Sequence, residues 1–385
     1  MKKVVFIVLF VLFLIMVPII SLTTFDKPFL YYENRWVAAM PEYNKEDLYS
    51  GKYLNCLDAF LSERIILRDN MMAAGTSFKL SILGKTVVGD VVIGDNVLLP
   101  YHLPSNANYS SIQASIDECT QNVEKIAAAV DDAGAKFMYV GIPEQSSVFR
   151  DRYPAHLNSN TKVLEFIENG FFAKLEEYEV ENINFKDVFE NEDVMRLYSK
   201  TDHHFNYYGA FEVYKEIINT LGHTPLDEDE LLFEEVDMPF LGSRNRKLFN
   251  AYNSADKLII ANPKIPVTFW RYDNGKRVAD RLFEINKDDE YITYNAYMGG
   301  DFAETIIKTN RPHLPRLLIV GDSFTNPLET LLYLNFDETR SLDYRYYSEK
   351  NIAEYLSDYT PDIVLMIRDD INYLHAGGNG NCMLE

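Results

Sequence analysis

Cysteine is nearly absent from this chain: Cys56, Cys119 and Cys382 are the only three in 385 residues. They lie far apart, match no zinc-ligand spacing and cannot all pair within one chain, so neither a disulfide scaffold nor a structural zinc organises the fold. A single Cys56–Cys119 bridge is the one pairing left open. Positive charge is also scarce, with 37 basic against 58 acidic side chains and a net charge of −21. Such a surface repels phosphate backbones and anionic lipid head groups, which removes nucleic acid from the expected partners. There is no internal repeat and no low-complexity tract, and a hydrophobic content of 47% excludes disorder as the main state.

Long apolar runs are missing too, with one exception. Lys2 and Lys3 precede an uncharged stretch from Val4 to Leu22, interrupted only by Pro18 and Ser21. Nineteen residues approach the roughly 20 that cross a bilayer and exceed the usual 7 to 15 of a signal-peptide core. No small-x-small cleavage pattern follows, so residues 1–24 read as an uncleaved anchor, with a cleaved signal as the alternative. The two lysines place the N-terminus in the cytoplasm and residues from about 25 onward, 25–385, outside.

Beyond the anchor, Lys45 to Leu83 carries apolar residues at helical spacing and predicts one or two long helices. Val87 to Pro100 has β-branched runs separated by Gly89-Asp90 and Gly94-Asp95-Asn96, which predicts a hairpin. Helices and strands then alternate: helix Ser110–Ala133, strand Lys136–Ile142, helix Lys162–Tyr178, strand Glu181–Phe185 and helix Tyr208–Leu221. Later come strand Leu317–Val320, a helix starting near Pro327, strand Ser341–Leu342, helix Ser348–Tyr359 and strand Ile363–Ile367. Parallel strands need crossovers, so this order predicts an α/β fold with a parallel sheet and helices on both faces. Between about 226 and 308 the pattern lapses into acidic, Tyr-rich, strand-prone sequence, including Val267–Tyr272 and Tyr291–Tyr297. That stretch reads as a β-rich insertion packed beside the sheet.

Two segments carry chemistry. Thr201-Asp202-His203-His204-Phe205 precedes a predicted helix, and in extended backbone Asp202 and His204 share a side, so a carboxylate can hold an imidazole in one tautomer. Helix capping by Asp202 is the bland alternative. Zinc ligation by the two histidines and Asp202 is a weaker one, because no second ligand pair is evident. The other segment, Leu317 to Pro327, runs a buried strand into Gly321-Asp322-Ser323. The carboxyl end of a strand is where an open parallel sheet presents a nucleophile, and N–H groups of the following turn can hold an oxyanion. Here too a cap is the alternative. A hydroxyl needs a base, and the only His-His-Asp cluster supplies one.

Taken together and in this order, the segments resemble the DHHW protein family and its relatives among the AlgX/AlgJ-type alginate O-acetylation proteins. The resemblance runs through ENRWVAAMP (33–41), FLSERIILRD (60–69), TDHHFNYYGA (201–210), YMGGD (297–301), GDSF (321–324) and LDYRYY (342–347). Phe205 stands where the family has Trp. The resemblance implies an SGNH-hydrolase-like fold with permuted motif order, Ser323 as nucleophile, His204 as general base and Asp202 as its orienting carboxylate. It also implies Gly300 as an oxyanion donor and Arg345 as a group holding the site together through Asp343 or Asp322, with a purely structural role for both as the alternative. His203 is a further candidate for substrate contact, although alternation along an extended segment turns it away from the base. The family's Pro-x-Lys stretch is here Ile142-Pro143-Glu144-Gln145, without the lysine.

The expected activity is acyl transfer or ester hydrolysis, with acetyl groups and an exported polysaccharide as substrates and a multi-pass membrane acyltransferase as a partner. No metal or other cofactor is expected. A non-catalytic carbohydrate-binding or scaffolding role in the cell envelope is the competing class.

Overall fold

In the computed structural model, residues 2–25, 27–102 and 107–384 are described. The apolar N-terminal run is one helix, Lys2–Thr24, broken by no charge after Lys3. Its Lys3–Thr24 portion is long and apolar enough to cross a membrane, with a mean hydropathy of 3.2. The chain divides into two compact units, Met1–Val91 with Asn245–Asn253, and Val92–Arg244 with Ser254–Glu385.

In the first unit, the predicted long helix between Lys45 and Leu83 is a series of short ones. Lys45–Tyr49, Lys52–Glu63 and Arg68–Ser77 are α-helical, and Phe78–Ile82 is a π turn. Gly51 and Leu67, at φ +83° and +59°, break the helical path between them, since left-handed residues cannot continue a right-handed helix. The segment from Val87 to Pro100, in which the first unit ends at Val91 and the second begins, forms three short strands.

The second unit is built on an eight-stranded sheet. Its strands are β1 (Lys136–Ile142), β2 (Asn182–Asn184), β3 (Trp270–Asp273), β4 (Lys276–Arg277), β5 (Glu304–Lys308), β6 (Arg316–Val320), β7 (Glu338–Leu342) and β8 (Ile363–Asp369). Their order is β4-β3-β5-β7-β6-β8-β1-β2. The five strands from β7 to β2 are parallel, as their continuous apolar sequences (RLLIV, IVLMI, KFMYVGI) require when both faces are covered.

Helices α1 (Tyr109–Asp132), α2 (Thr161–Glu177) and α5 (Ile352–Asp358) cover one face, where Tyr139, Leu318, Val320, Val364 and Met366 join their core. The other face takes α3 (Tyr207–Thr220) and α4 (Thr325–Leu332). Glu329 of α4 bonds Ser341, which points away from the Leu342 face, and Thr330 bonds Tyr207 of α3 at 2.7 Å. The α/β architecture with helices on both faces is therefore present, and α1, α2, α3 and β1 lie within about one residue of the spans expected from the sequence.

The stretch at 226–308 differs from expectation. Only its first half stays outside the main sheet, as a ribbon of Leu231–Glu235 against Ile259–Pro263. Its second half extends the sheet: β5 pairs antiparallel with β7, and β3 with β5. Alternating burial along Glu304–Lys308 suits such an edge. Tyr291–Tyr297 is not a strand but a short 3-10 turn, Tyr294–Ala296. All three cysteines are free thiols.

Candidate active site

Gly321, Asp322 and Ser323 follow β6 at the carboxyl end of the sheet, and α4 begins two residues after Ser323. A side chain at Gly321 would sit 2.3 Å from Thr325 Cγ2 and 3.0 Å from Ile367 O. The turn closes this tightly only because position 321 has no Cβ. Phe324 N–H donates to Asp322 Oδ1 at 3.0 Å and Thr325 N–H to Asp322 O at 2.9 Å. Asp322 thus fixes the turn from its own position.

Asp202, His204 and Ser323 form one hydrogen-bonded row. His204 Nδ1 lies 2.6 Å from Asp202 Oδ1, and Nε2 lies 2.8 Å from Ser323 Oγ. With Nδ1–H given to the carboxylate, Nε2 is left as the acceptor for the serine hydroxyl. Asp202 and His204 are only 2% and 3% exposed, so the carboxylate and the imidazole are shielded from water while Ser323 is partly exposed.

The reason Asp202 and His204 meet differs from the sequence argument. Residues 201–204 are bends, not extended strand. The carboxylate folds back on its own backbone, accepting from His204 N–H at 3.2 Å as well as from the ring. His203 is consequently not turned away: its ring centroid is 3.7 Å from that of His204, and its Nδ1 is 2.8 Å from Ser243 Oγ.

The bent loop is held from elsewhere in the chain. Asp256 Oδ2 accepts from Lys200 N–H (2.8 Å), Thr201 N–H (2.7 Å), Thr201 Oγ1 (2.7 Å) and Ser199 Oγ (2.8 Å). Ser243 N–H donates to Asp202 Oδ2 at 2.7 Å. Gly242 makes that approach possible, because a Cβ there would lie 2.5 Å from the Thr201 backbone. Gln145, in the segment that lacks lysine, donates its backbone N–H to His203 O at 3.0 Å and its amide to Ser199 O at 3.1 Å. Arg244 Nε donates in turn to Gln145 Oε1 at 3.2 Å, and its guanidinium pairs with Glu144. A polar brace therefore stands where the family pattern has a cation.

Electrostatics suit a neutral base. Burial opposes charge on Asp202, yet the His204 hydrogen bond, the two nearby imidazoles and the Ser243 N–H outweigh it and hold the carboxyl well below its ordinary range. Burial, with His203 beside it, pulls His204 down to about 4 despite Asp202. The imidazole is thus uncharged and able to take a proton at neutral pH. Behind the serine, burial and the neighbouring Asp369 carboxylate push Asp322 well above the ordinary carboxylate range, and burial raises Asp369 as well.

Sequence reasoning missed the aromatic wall beside His204. Tyr294 stacks on His204 with centroids 3.6 Å apart and planes within 7°, and Phe324 lies against the same ring at 4.7 Å. Asp256, Ser243 and Tyr294 carry no local motif that would single them out.

The remaining expected positions separate. Arg345 binds Asp343 through Nε and Nη2 (2.5–3.0 Å) and reaches Asp301 Oδ2 at 2.9 Å. Asp301 Oδ1 accepts from Asn326 Nδ2 at 2.9 Å, so Arg345 connects to the helix that follows Ser323. Of its two expected carboxylate partners, Asp343 is the one bonded. Gly300 does not offer an oxyanion donor: its N–H is spent on Tyr297 O at 3.1 Å, closing a turn at φ +104°. Asp202, His203 and His204 present ligand atoms within 4.8 Å of one another. Asp202 Oδ1 is engaged with His204 Nδ1, His204 Nε2 with Ser323 Oγ and His203 Nδ1 with Ser243 Oγ, contacts that an ion would have to displace.

No protein-family model matches this chain, and no curated protein matches it. Solved structures do. PatB1 of Bacillus cereus, determined with a sulfonyl adduct, is 22% identical over 74% of this chain and 95% of its own, with a TM-score of 0.61. A DHHW family protein of Eubacterium siraeum is 18% identical over 77% of this chain and 95% of its own, with a TM-score of 0.59. The O-acetyltransferase domain of Pseudomonas putida AlgJ is 13% identical over 74% of this chain and 92% of its own, with a TM-score of 0.46. At these identities the likeness concerns architecture: the chain shares the fold of PatB1 and of a DHHW family protein, the family whose motifs its sequence resembles.

Proposed function

We propose that this protein is a membrane-anchored, extracytoplasmic serine acyltransferase or esterase working through an acyl-Ser323 intermediate. The observation that carries the reading is the row Asp202–His204–Ser323, with hydrogen bonds of 2.6 and 2.8 Å around a buried, neutral imidazole. Ser323 Oγ attacks the acyl carbon while its proton passes to His204 Nε2. The proton then goes to the leaving oxygen of the donor, and the acyl group stays on serine. An incoming hydroxyl gives its proton to His204 and takes the acyl group, and His204 passes that proton to the departing Ser323 Oγ, which restores the free serine and the neutral imidazole. Asp202 keeps the ring oriented and stabilises the imidazolium while it exists.

The oxyanion needs a donor. Phe324, Thr325 and Asn326 N–H groups are occupied by Asp322 Oδ1, Asp322 O and Ser323 O. Within this turn the role is assigned here to the Ser323 N–H, in place of Gly300.

Acetyl as the acyl group and an exported polysaccharide as acceptor follow from the DHHW and AlgX/AlgJ resemblance, as does a membrane acyltransferase as donor. The test is trapping. Full-length protein in nanodiscs, given p-nitrophenyl acetate and quenched in acid, should carry one acetyl group on the peptide containing Ser323. Offered polysaccharide fragments should accelerate its loss if the protein is a transferase; loss at the same rate in water alone would make it an esterase. No acetyl on Ser323, together with full cellular function of Ser323→Ala, would leave the scaffolding reading.

A further inference from the structure

The turn between the helices Lys52–Glu63 and Arg68–Ser77 exposes three consecutive apolar side chains. Ile65 and Ile66 are each 39% exposed and Leu67 is 64% exposed. Leu67 also sits at φ +59°, a left-handed conformation unusual for a branched residue. Water gives no reason to hold a leucine there.

The same turn is fastened to the end of the N-terminal helix. Ile66 N–H donates to Ser21 Oγ at 3.0 Å, the Arg64 guanidinium lies 5.2 Å over the Phe25 ring, and Lys27 is 3.7 Å from Asp69. Ser21 precedes the helix end, Thr24, by three residues, which is about 4.5 Å along the axis. The turn therefore stands level with the last apolar turn of the helix rather than beyond it. Nearby charges are paired among themselves, Glu33 and Glu63 with Arg35 and Glu33 with Arg68. The helix after the turn leaves Met71 and Met72 exposed as well.

We infer that the Arg64–Leu67 turn is a second membrane contact, inserted in the interfacial layer of the bilayer that the N-terminal helix spans, with lipid as its occupant. The inference rests on the reading of that helix as an uncleaved span. A helix that crosses the bilayer carries whatever is bonded to Ser21 to the same depth, and three exposed apolar side chains match that environment. The attraction is apolar, because a chain of net charge −21 gains nothing from anionic lipids. A span alone would let the first unit swing on the residues after Thr24; a second contact fixes its tilt.

The test places a polarity-sensitive fluorophore on Leu67→Cys in a Cys56→Ser background, full length, in phosphatidylcholine nanodiscs. Cys119 and Cys382 are buried and stay unlabelled. Lipids with a nitroxide near the glycerol level should blue-shift and quench the label about twofold or more, as for a group at the headgroup boundary. A parallel label on Leu14→Cys reports the span through a nitroxide deep in the acyl chain. Quenching at Leu14 with water-like, unquenched emission at Leu67 would overturn the inference and leave the anchor standing. Absence of quenching at both would remove the anchor and the inference together.

Discussion

Two loops meet at the candidate site and are held in different ways. The Ser323 turn is closed mainly by its own few residues, since Gly321 lets the chain pass Thr325 and Asp322 accepts from the two N–H groups that follow Ser323, with Asn379 Nδ2 donating to Gly321 O at 2.9 Å as a link from outside. The Asp202–His204 loop is fixed from far away in sequence, by Asp256, Ser243 and Gln145. A strand-end turn with a glycine solves its backbone accounting locally. A bent loop of buried polar groups cannot, and each N–H it turns inward must find an acceptor supplied by another segment. Damage to the two loops should therefore differ in kind, loss of the reacting group in one and loss of alignment in the other.

The largest effect belongs to the reacting atoms. Ser323→Ala should lower acyl turnover about 10⁴-fold or more with little change in Tm, read by initial rates and thermal melts. Asp202→Asn should cost about 10³- to 10⁴-fold, because the amide no longer selects the Nδ1–H tautomer. If Asp202→Asn were as active as the parent, the row would have no catalytic meaning.

Gly321→Ala tests the local turn. Contact at 2.3 Å with Thr325 should destabilise the fold by about 2 kcal/mol or more, seen as a shifted denaturation midpoint. Asp256→Ala tests the remote brace. It strips four donors of their acceptor and should lower kcat about 10- to 100-fold while Ser323 still reacts with small probes. An equal loss of stability and activity in both variants would erase the distinction between the loops.

The pH dependence is the smallest and sharpest effect. In the proposed mechanism His204 takes a proton only when neutral, and its folded value of about 4 lies below the ordinary 6.5. Activity should persist from pH 7 down to about 5 and fall as pH approaches 4. Stability has an opposite trend through Glu329, whose burial raises it to about 7 from 4.5. Such a group binds more protons folded than unfolded, so its contribution is present below pH 4.5 and lost as pH rises to about 7. Glu329→Gln should flatten that part of the Tm profile.

Much of the architecture was legible because α1, α2, α3 and the central strands have their period and end signals in their own residues, such as Gly134 and Gly222 just past helix ends. What escaped depends on partners. The antiparallel edge at β3 and β5 exists by virtue of pairing with β7, and Tyr294 earns its place only from a ring 90 residues earlier in the chain. Gly300 shows the reverse case, a glycine in a motif whose N–H turns out to be occupied. Ser323 and His204 were readable because each sits beside a recognisable local signal; Asp256 and Ser243 were not, since a lone acceptor or backbone donor leaves no pattern.

The most direct test of the account is the rate at which a fluorophosphonate labels Ser323 in the full-length protein at pH 7, in the parent and in His204→Gln. An activated serine predicts stoichiometric labelling of the parent on the peptide bearing Ser323 and a rate about 10³-fold lower in the variant. An unlabelled parent, or a variant labelled as fast as the parent, would contradict it.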